Sequence, residues 1–298
     1  MFHEASYRSH ARGFAADLVD PERKRIAASW FDETTADAWR HARGYEIASY
    51  LGGVSGEYWF TVGDGRFGLD AIRLRRRGVS NILATDIDES LLQASKNQGL
   101  LSEYRVENAE RLSFADASFD YAFCKEAYHH FPRPMIALYE MLRVARKGVI
   151  LVEPNDRTNT RIVRFKSVIK RLLGRSIKHR DTGAYESDGN YVFSISEREI
   201  EKVALGIDLP QVAFKGFNDS YVPGQEFEIA DATKSVMYRK MRRNIAFRDF
   251  LCWLGLDQPA LLMACLFREP LRKDQRDRMN ENGWKIVDLP RNPYISAA

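Results

Sequence analysis

Cysteine is scarce in this chain, and the cysteines present are not arranged for a metal site or a disulfide framework. Only three occur among the 298 residues (Cys124, Cys252 and Cys265), and no two of them form a CxxC pair. A cysteine-rich zinc site or a set of structural disulfides is therefore not expected. No group of aspartates and histidines has metal-ligand spacing either, so the sequence predicts no metal.

Long apolar runs are also missing. The longest, such as Ala260–Phe267 and Val149–Val152, are far below the ~18 residues that a membrane-spanning helix needs. The first residues include the charged Glu4 and Arg8 and lack the apolar core of a secretion signal. We therefore expect a soluble, cytoplasmic protein.

The residues that are plentiful indicate a packed α/β protein with an uneven charge. Apolar residues make up 45% of the chain and charged residues 29%, which favours a folded core over disorder. Two stretches without any acid hold much of the positive charge: residues 157–180 contain nine Lys/Arg and residues 232–248 contain six. Because the whole chain is only +4, the remainder carries −11, so two basic insertions sit on a mildly acidic body.

Strand and helix patterns alternate through the first half of the chain. Short apolar or β-branched runs predict strands at Tyr58–Val62, Ile82–Thr85, Tyr104–Glu107, Phe119–Cys124 and Val149–Val152. Helical periodicity follows the first, second and fourth of these runs, which is typical of a doubly wound parallel sheet.

Other elements are predicted on both sides of this alternation. Ala36–Leu51 has the clearest helical pattern before the first strand, and residues 160–173 form a basic amphipathic helix after the fifth. Ser196 and Glu199 have capping-box spacing and open another helix. Finally, 212–217 and 261–267 predict a closing antiparallel pair, with a last short strand at 285–288.

A glycine loop follows the first predicted strand. Its spacing is Gly63-x-Gly65-x-x-Gly68, and a predicted helix follows it. Glycine permits the tight turn and the close approach of a ligand to the backbone, and the helix N-terminus offers unpaired N–H groups. Asp86 comes directly after the second strand, where its carboxylate can accept hydrogen bonds from both ribose hydroxyls. The pattern therefore predicts an adenosine-containing cofactor, and a nicotinamide enzyme shares this much of it.

The downstream sequence favours one cofactor class. Glu107–Asp120 reads ENAERLSFADASFD, and Tyr128–Pro132 reads YHHFP. Residues 137–144 (ALYEMLRV) and the strand that ends in Glu153-Pro154 complete the run. In this combination, residues 57–154 resemble the class I S-adenosylmethionine (SAM)-dependent methyltransferases. Tyr121 and Lys125 have the spacing of an oxidoreductase Tyr-x-x-x-Lys pair, but they fall at the end of a strand instead of on a helix.

The resemblance implies a doubly wound, Rossmann-like α/β sheet of seven strands, mostly parallel with an antiparallel closing pair, plus helical insertions. It also implies a division into an N-terminal helical extension (1–51), a SAM-binding half of the sheet (52–155) and a C-terminal half with basic insertions that forms the acceptor site (156–298). By position in the family's motifs, it implies the following SAM-binding residues: Gly63, Asp64, Gly65, Asp86, Ile87, Asn108, Ala109 and Lys125.

Two positions depart from the family pattern. Thr61 stands where the family usually has an acid, and Asn108 stands where it usually has Asp. Asn can still accept a hydrogen bond from the adenine amino group. We hypothesise that Asp64 partly replaces the missing negative charge near the cofactor's ammonium group.

Methyl transfer to a hydroxyl or amine needs a base, and histidine is suited to that role near neutral pH. His129 follows the fourth strand and Glu153 ends the fifth, so we expect His129 to be the base and Glu153 its partner or a substrate ligand. The alternative is that the histidine pair only caps and packs the following helix. A protein of the same fold that binds SAM without turnover is a further alternative.

The acceptor is expected to be a small molecule or saccharide, methylated on oxygen and carrying an anionic, phosphate or nucleotide-linked group that suits the basic insertions. A solvated charged face is the alternative role for these insertions, and the helix at 160–173 could also contact an anionic membrane. The Asn/Asp-Pro-Pro-aromatic motif of nucleobase amino-methylation is absent, because Cys124–Ala127 occupies its place. With no RNA-binding module visible, nucleic acid is not expected as a partner.

Overall fold

The structure is a computed structural model of the chain. It describes residues 17–51, 56–158, 160–172 and 191–294, together with residues 4, 7, 8 and 185. Part of the first basic stretch, residues 173–180, therefore lies outside the described residues, as does the predicted domain boundary at residue 52.

One mixed sheet organises the described chain. Its strands are β1 (Tyr58–Thr61), β2 (Asn81–Asp86), β3 (Tyr104–Val106), β4 (Phe119–Lys125), β5 (Ala145–Pro154), β6 (Gln211–Phe217), β7 (Leu261–Phe267) and β8 (Lys285–Asp288). Their order in the sheet is β3-β2-β1-β4-β5-β7-β6-β8. The expected sheet class is confirmed, but the sheet has eight strands instead of seven, because β8 pairs with the outer edge of β6.

The first five strands are parallel, and the remaining pairings, β5 with β7, β7 with β6 and β6 with β8, are all antiparallel. The chain starts at β1 in the middle of the sheet, runs outward through β2 and β3, and returns to β4 on the other side of β1. This reversal leaves a crevice between β1 and β4 at the carboxyl ends of the strands, where ligands of such sheets bind.

The helices lie on both faces of the sheet or outside it. They are α1 (Pro21–Ser29), α2 (Ala36–Ala42), α3 (Ala48–Leu51), α4 (Leu69–Arg76), α5 (Ser90–Asn97), α6 (Pro134–Val144), α7 (Arg161–Leu172), α8 (Glu197–Gly206), α9 (Val236–Trp253) and α10 (Lys273–Glu281). Two local signals behave as expected. Gly78 ends α4 with φ +99°, and the Ser196 hydroxyl accepts from Glu199 N–H at 3.2 Å where α8 begins.

The prediction of one helix over Ala36–Leu51 is wrong. The segment forms α2, a 3-10 turn at Arg43–Tyr45 and then α3. A Cβ at Gly44 would lie 3.0 Å from Lys125 Cε, so the backbone at the turn runs close against the Lys125 side chain. The tighter turn swings the Tyr45 side chain into the fold, where it is fully buried and stacks on Phe123 with 5.8 Å between ring centroids.

Apolar side chains cover both faces of the sheet. One cluster contains Phe60, Met141 and Leu151, and the other contains Trp59, Phe123 and Ile150. Neighbouring residues of one strand thus enter opposite clusters, as the twofold alternation of a strand requires. β5 is buried from Gly148 to Glu153, which confirms the expectation of a strand covered on both faces.

Within the described residues, the two basic stretches contribute the helices α7 and α9 on the outside of the body. α7 carries exposed apolar side chains, including Phe165 and Leu172, and α9 buries only Tyr238, Met241 and Ile245. Among the described residues, no helix combines the length and the apolar character needed to cross a bilayer.

Candidate active site

A cavity of about 670 Å³ opens at the carboxyl ends of the parallel strands. It brings together eight of the ten residues that the sequence singles out: Gly63, Asp64, Asp86, Ile87, Asn108, Ala109, Lys125 and His129. Gly65 and Glu153 do not line it. The volume lies within the roughly 300–1,000 Å³ that is usual for small-molecule and cofactor sites.

The glycine loop forms one wall of the cavity, and a side chain would not fit at two of its positions. Gly63 has φ +74°, and a Cβ there would lie 2.4 Å from the Cβ of Ala127. Gly68 has φ +66°, and a Cβ there would meet a methyl group of Leu101 at 2.5 Å. Because Gly63 has no side chain, the strand-to-helix turn can approach the loop after β4 closely.

The Asp64 carboxylate turns back into its own loop. It accepts hydrogen bonds from Asp70 N–H at 3.0 Å, Ala71 N–H at 2.9 Å and the Thr61 hydroxyl at 2.9 Å. It thereby caps α4, as carboxylates commonly do at helix N-termini. Burial and the neighbouring Asp70 charge raise the pKa of Asp64 well above its ordinary value.

Asp70 is a second acid in this wall, and sequence reasoning missed it. Its carboxylate lines the cavity and accepts a hydrogen bond from the Tyr45 hydroxyl. Burial raises the pKa of Asp70, although Lys125 and the Tyr45 hydrogen bond act in the opposite direction. A cationic ligand group beside these two buried carboxyl groups would favour their ionised forms and pair with them.

Asp86 ends β2 and is almost fully buried beside the cavity. One carboxylate oxygen accepts from Asp88 N–H at 2.9 Å. Burial raises the pKa of Asp86 to about 7, even though backbone N–H groups of Asp88, Gly65 and Ile87 act to lower it. Gly65 therefore contributes its N–H to Asp86 instead of lining the cavity. Hydroxyl donors from a ligand would stabilise the ionised carboxylate.

The loop after β3 provides the remaining edge of the cofactor side. Asn108 and Ala109 line the cavity together with Ile87. The Asn108 side-chain oxygen accepts from Glu110 N–H at 2.9 Å, which holds the loop in an Asx turn. Its side-chain amide is thereby fixed in orientation.

His129 and Glu153 form a buried pair at the end of β4 and β5. The distance between His129 Nδ1 and Glu153 Oε2 is 2.6 Å, and the Glu153 carboxylate is completely buried. The other oxygen, Oε1, accepts from Ala127 N–H at 3.0 Å and from Tyr128 N–H at 2.9 Å. Glu153 thus fixes the imidazole, and His129 is the member of the pair that lines the cavity.

This arrangement favours one tautomer of the neutral imidazole. A carboxylate that accepts from Nδ1–H holds the proton on that nitrogen, so Nε2 is the basic atom of the neutral ring. The backbone turns toward Glu153 at Glu126, which has φ +51° although it carries a side chain. Non-glycine residues with such φ values are uncommon and cluster at functional sites.

A network of charged groups surrounds Lys125. Its ammonium pairs with Glu126, lies 3.1 Å from His41 Nδ1 and stands 5.6 Å from the centroid of the Tyr45 ring. Burial alone would lower the pKa of Lys125, but the Glu126, Tyr45 and Asp70 charges raise it above its ordinary value. Burial and the Lys125 charge lower the pKa of His41 to about 4, so this histidine is neutral at physiological pH.

The α2 helix supplies residues that the sequence did not reveal as site residues. Asp37, Arg40 and His41 occur at i, i+3 and i+4, which puts them on one face of α2, and all three line the cavity. The Arg40 guanidinium pairs with Asp37 and Asp219. This spacing of polar groups on a short helix was the available signal, but nothing in the sequence placed α2 against β4.

The residues of the nicotinamide alternative do not come together. The Tyr121 ring packs against Trp59 in the core, with 4.8 Å between ring centroids, and only Lys125 lines the cavity.

Part of the chain matches the model of a known protein family. Residues 60–152 match the family model described as "Methyltransferase domain". A curated protein of Mycobacterium ulcerans named "Probable phthiotriol/phenolphthiotriol dimycocerosates methyltransferase 2" is 26% identical over 171 residues. The alignment covers 57% of this chain and 66% of that protein, so the chain matches slightly under two thirds of the relative's length.

Two solved structures are also similar. The YcgJ protein of Bacillus subtilis is 16% identical, with 77% of this chain and 100% of that chain covered and a TM-score of 0.48. The Haemonchus contortus phosphoethanolamine N-methyltransferase 2, in complex with phosphomonomethylethanolamine and S-adenosylhomocysteine, is 13% identical. The match covers 78% of this chain and 53% of that chain, with a TM-score of 0.46.

Proposed function

We propose that this chain transfers a methyl group from SAM to an oxygen atom of a small-molecule or saccharide acceptor, and the match of residues 60–152 to the methyltransferase-domain model supports this. The single observation that carries the proposal is the His129–Glu153 pair, because a base must take the proton that a hydroxyl acceptor loses during transfer. The relative from Mycobacterium ulcerans is named for a triol, which agrees with a hydroxyl acceptor.

The residues on the cofactor side fit SAM. Gly63 lines the cavity without a side chain, so its backbone atoms meet whatever occupies the cavity. We assign Asp86 to the ribose hydroxyls, Ile87, Asn108 and Ala109 to the adenine, and the loop of Gly63, Asp64 and Gly65 to the methionine part. When bound, SAM supplies an electrophilic methyl group on a sulfonium centre.

The negative charge for the ammonium group comes from two acids in this proposal. Asp64 accepts three hydrogen bonds inside the loop, and Asp70 stands beside it on the same wall. Together they stand in for the acid that Thr61 replaces. If Asp64→Asn and Asp70→Asn both leave SAM affinity unchanged, the ammonium is held elsewhere.

His129 is the proposed base. Glu153 orients the imidazole through Nδ1, so that Nε2 can take the hydroxyl proton from the acceptor as the new bond to carbon forms. The positive charge that develops on His129 is stabilised by the buried Glu153 carboxylate at 2.6 Å. Lys125 lies on the same side of the cavity, and we assign it to the boundary between cofactor and acceptor.

The acceptor side is assigned to the N-terminal extension and the C-terminal half. Arg40 enters the cavity from α2 as a guanidinium cation, and the neutral His41 lies beside it on the same helix. A guanidinium group on the cavity wall suits an acceptor with a phosphate, a nucleotide or another anionic group. We propose that residues 52–155 hold SAM and that residues 1–51 and 156–298 enclose the acceptor. Of these two acceptor segments, only the N-terminal one contributes described residues to the cavity lining.

A methyl-transfer assay with labelled SAM tests the proposal. The acceptor panel pairs phosphorylated or nucleotide-linked sugars with their neutral counterparts. We expect turnover with the anionic members, and a loss of that turnover with rising salt while SAM affinity stays constant. Equal turnover of neutral and anionic acceptors would remove the anionic assignment, and calorimetry that detects NAD but not SAM binding would overturn the cofactor.

The base is tested separately. We expect His129→Ala to lower turnover by roughly 10²–10⁴ and to leave SAM affinity unchanged, since general bases contribute about that factor. A loss below about tenfold would assign His129 to helix packing instead.

A further inference from the structure

The outward face of α9 carries an alternation of apolar and basic side chains. Its members recur at i, i+4, i+7, i+11, i+14 and i+18, so they form one stripe along the helix. They are Val236, Lys240, Arg243, Phe247, Phe250 and, at the C-terminal end, Leu254. The apolar members are well exposed: Val236 by 71%, Phe247 by 62% and Phe250 by 51%. Trp253 flanks them at 79% and stacks on Phe250. We call these seven residues the α9 stripe.

The opposite face fixes the helix, so the stripe has a defined orientation. Tyr238, Met241 and Ile245 are buried in a small cluster with Trp39 of α2. The Trp39 and Tyr238 rings meet edge to face, with centroids 5.3 Å apart. The helix is already packed on its other side, so its large exposed aromatic side chains form an outward patch. Such patches mark interaction sites more often than scattered apolar surface residues do.

The charge around the α9 stripe is positive. From Val236 to Trp253 there are five basic residues and one acid, Asp249, which accepts a hydrogen bond from Asn218. Within the part of the chain that the structure describes, no carboxylate pairs with Lys240 or Arg243. The stripe therefore joins exposed hydrocarbon to exposed basic side chains.

The α7 helix begins beside the end of α9. Ile162 N–H donates to Leu256 O at 3.0 Å, and the Arg157 guanidinium pairs with Asp257. Phe165 and Leu172 of α7 are exposed by 66% and 81%. The start of one basic helix with outward apolar side chains thus lies beside the C-terminal end of the other.

We propose that the α9 stripe docks on the surface of an anionic lipid bilayer. Aromatic side chains partition into the interface of a bilayer, and interleaved Lys and Arg attract anionic headgroups. A second copy of the chain fits less well, because pairing two such stripes would bring Lys240 and Arg243 near their equivalents. Nucleic acid fits less well too, since the stripe lies on a convex helix instead of in a groove that could hold stacked bases.

The location of the stripe relates it to the cavity. Trp39, which packs under α9, is the neighbour of Arg40, and Arg40 lines the cavity from α2. Docking of α9 would therefore hold the proposed acceptor side of the protein near the bilayer. The docking itself does not depend on the proposed methyl transfer, and it is measured without SAM.

Flotation of the full chain with vesicles tests the proposal. The vesicles contain either phosphatidylcholine alone or a mixture of phosphatidylcholine with phosphatidylglycerol in a ratio of about 70:30, which gives the strongly anionic surface that basic residues recognise. We expect binding to the mixed vesicles only. Lys240→Ser with Arg243→Ser should weaken it about thirtyfold, taking roughly fivefold for each basic residue near an anionic surface. Phe247→Ala with Phe250→Ala should weaken it at least about tenfold, because each removes exposed aromatic surface from the interface.

Matched controls separate the stripe from total charge and hydrophobicity. Lys96→Ser with Lys202→Ser removes the same charge from α5 and α8, and Tyr139→Ala with Tyr294→Ala removes exposed aromatic rings elsewhere. Both should bind like the unaltered chain. Trp253 supplies a second readout, since its fluorescence should shift to the blue on mixed vesicles and the shift should vanish in Trp253→Phe.

Several outcomes would overturn the proposal. These are absent binding to the mixed vesicles, equal binding to both vesicle types, and equal losses for the stripe and control variants. Binding to a short DNA duplex without vesicle binding would assign the stripe to nucleic acid. A stable dimer that Phe247→Ala with Phe250→Ala dissociates would assign it to a second copy.

Discussion

Replacing Glu153 by glutamine tests the link between the buried pair and catalysis. In Glu153→Gln, the side-chain amide oxygen can still accept from Ala127 N–H and Tyr128 N–H, so the turn after β4 keeps both of its hydrogen bonds. The amide nitrogen then faces His129 Nδ1 and donates to it. The imidazole must move its proton to Nε2, the atom that is required as the base.

The structure gives the size of the effect. The side chain stays isosteric and its two backbone bonds remain, so the loss of stability should be no more than the roughly 1–3 kcal/mol of one compromised buried hydrogen bond. Turnover should fall by about 10²–10⁴, which corresponds to roughly 3–5 kcal/mol in the activation barrier. SAM affinity should not change, because Glu153 does not line the cavity.

The assay measures turnover, SAM affinity and thermal stability for Glu153→Gln and for Asp120→Asn. Asp120 is the matched control, a fully buried carboxylate at the other end of β4 that pairs with Arg146. We expect Asp120→Asn to lose stability and keep turnover. A Glu153→Gln enzyme that retains more than about a tenth of the normal turnover would refute the reasoning about the tautomer, since that loss is below what a general base contributes.

Three further predictions follow from the walls of the cavity. SAM affinity should fall about tenfold from pH 8 to pH 6, because the ribose hydroxyls favour ionised Asp86 and burial raises the pKa of this carboxyl to about 7. Calorimetry should show this dependence of SAM affinity on pH, and the dependence should disappear in Asp86→Asn. Gly63→Ala should lower both the melting temperature and SAM affinity, since Gly63 has φ +74° and Ala127 leaves no room for a Cβ. A variant with the same melting temperature as the unaltered chain, both without SAM and in its presence, would contradict this. Arg40→Gln should raise the acceptor KM at least about tenfold at unchanged SAM affinity, because it removes a charged hydrogen-bond donor from the cavity wall, and an unchanged KM would exclude Arg40 from the acceptor side.

The parallel half of the fold was predictable because local and global signals agree there. Gly78 ends a helix, Ser196 begins one, and the apolar run Val149–Val152 can only be a strand covered on both faces. The eighth strand was foreseen as a short run at 285–288, but its place in the sheet was not. Edge position depends on pairing with β6, and a sequence pattern does not specify a partner.

The candidate site divides in the same way. The residues on the cofactor side follow strand ends within residues 60–130, where a short motif fixes both position and direction. His41 and Arg40 could not be assigned, because they reach the cavity through the packing of α2 on elements far away in the chain. Asp70 was hidden for a different reason, since its position on the first turn of α4 reads as an ordinary helix-capping acid.

The hydrogen bonds that hold α2 in place affect the order in which the protein folds during its synthesis. Ala36 N–H donates to Glu228 O at 2.7 Å, Ala230 N–H donates to Thr34 O at 2.8 Å, and Gln225 donates to Asp37 at 2.8 Å. A nascent chain still on the ribosome can fold β1 to β5 before these later residues emerge from the exit tunnel. The side of the cavity that α2 forms is therefore completed only after residues 225–230 have emerged, later than β1 to β5.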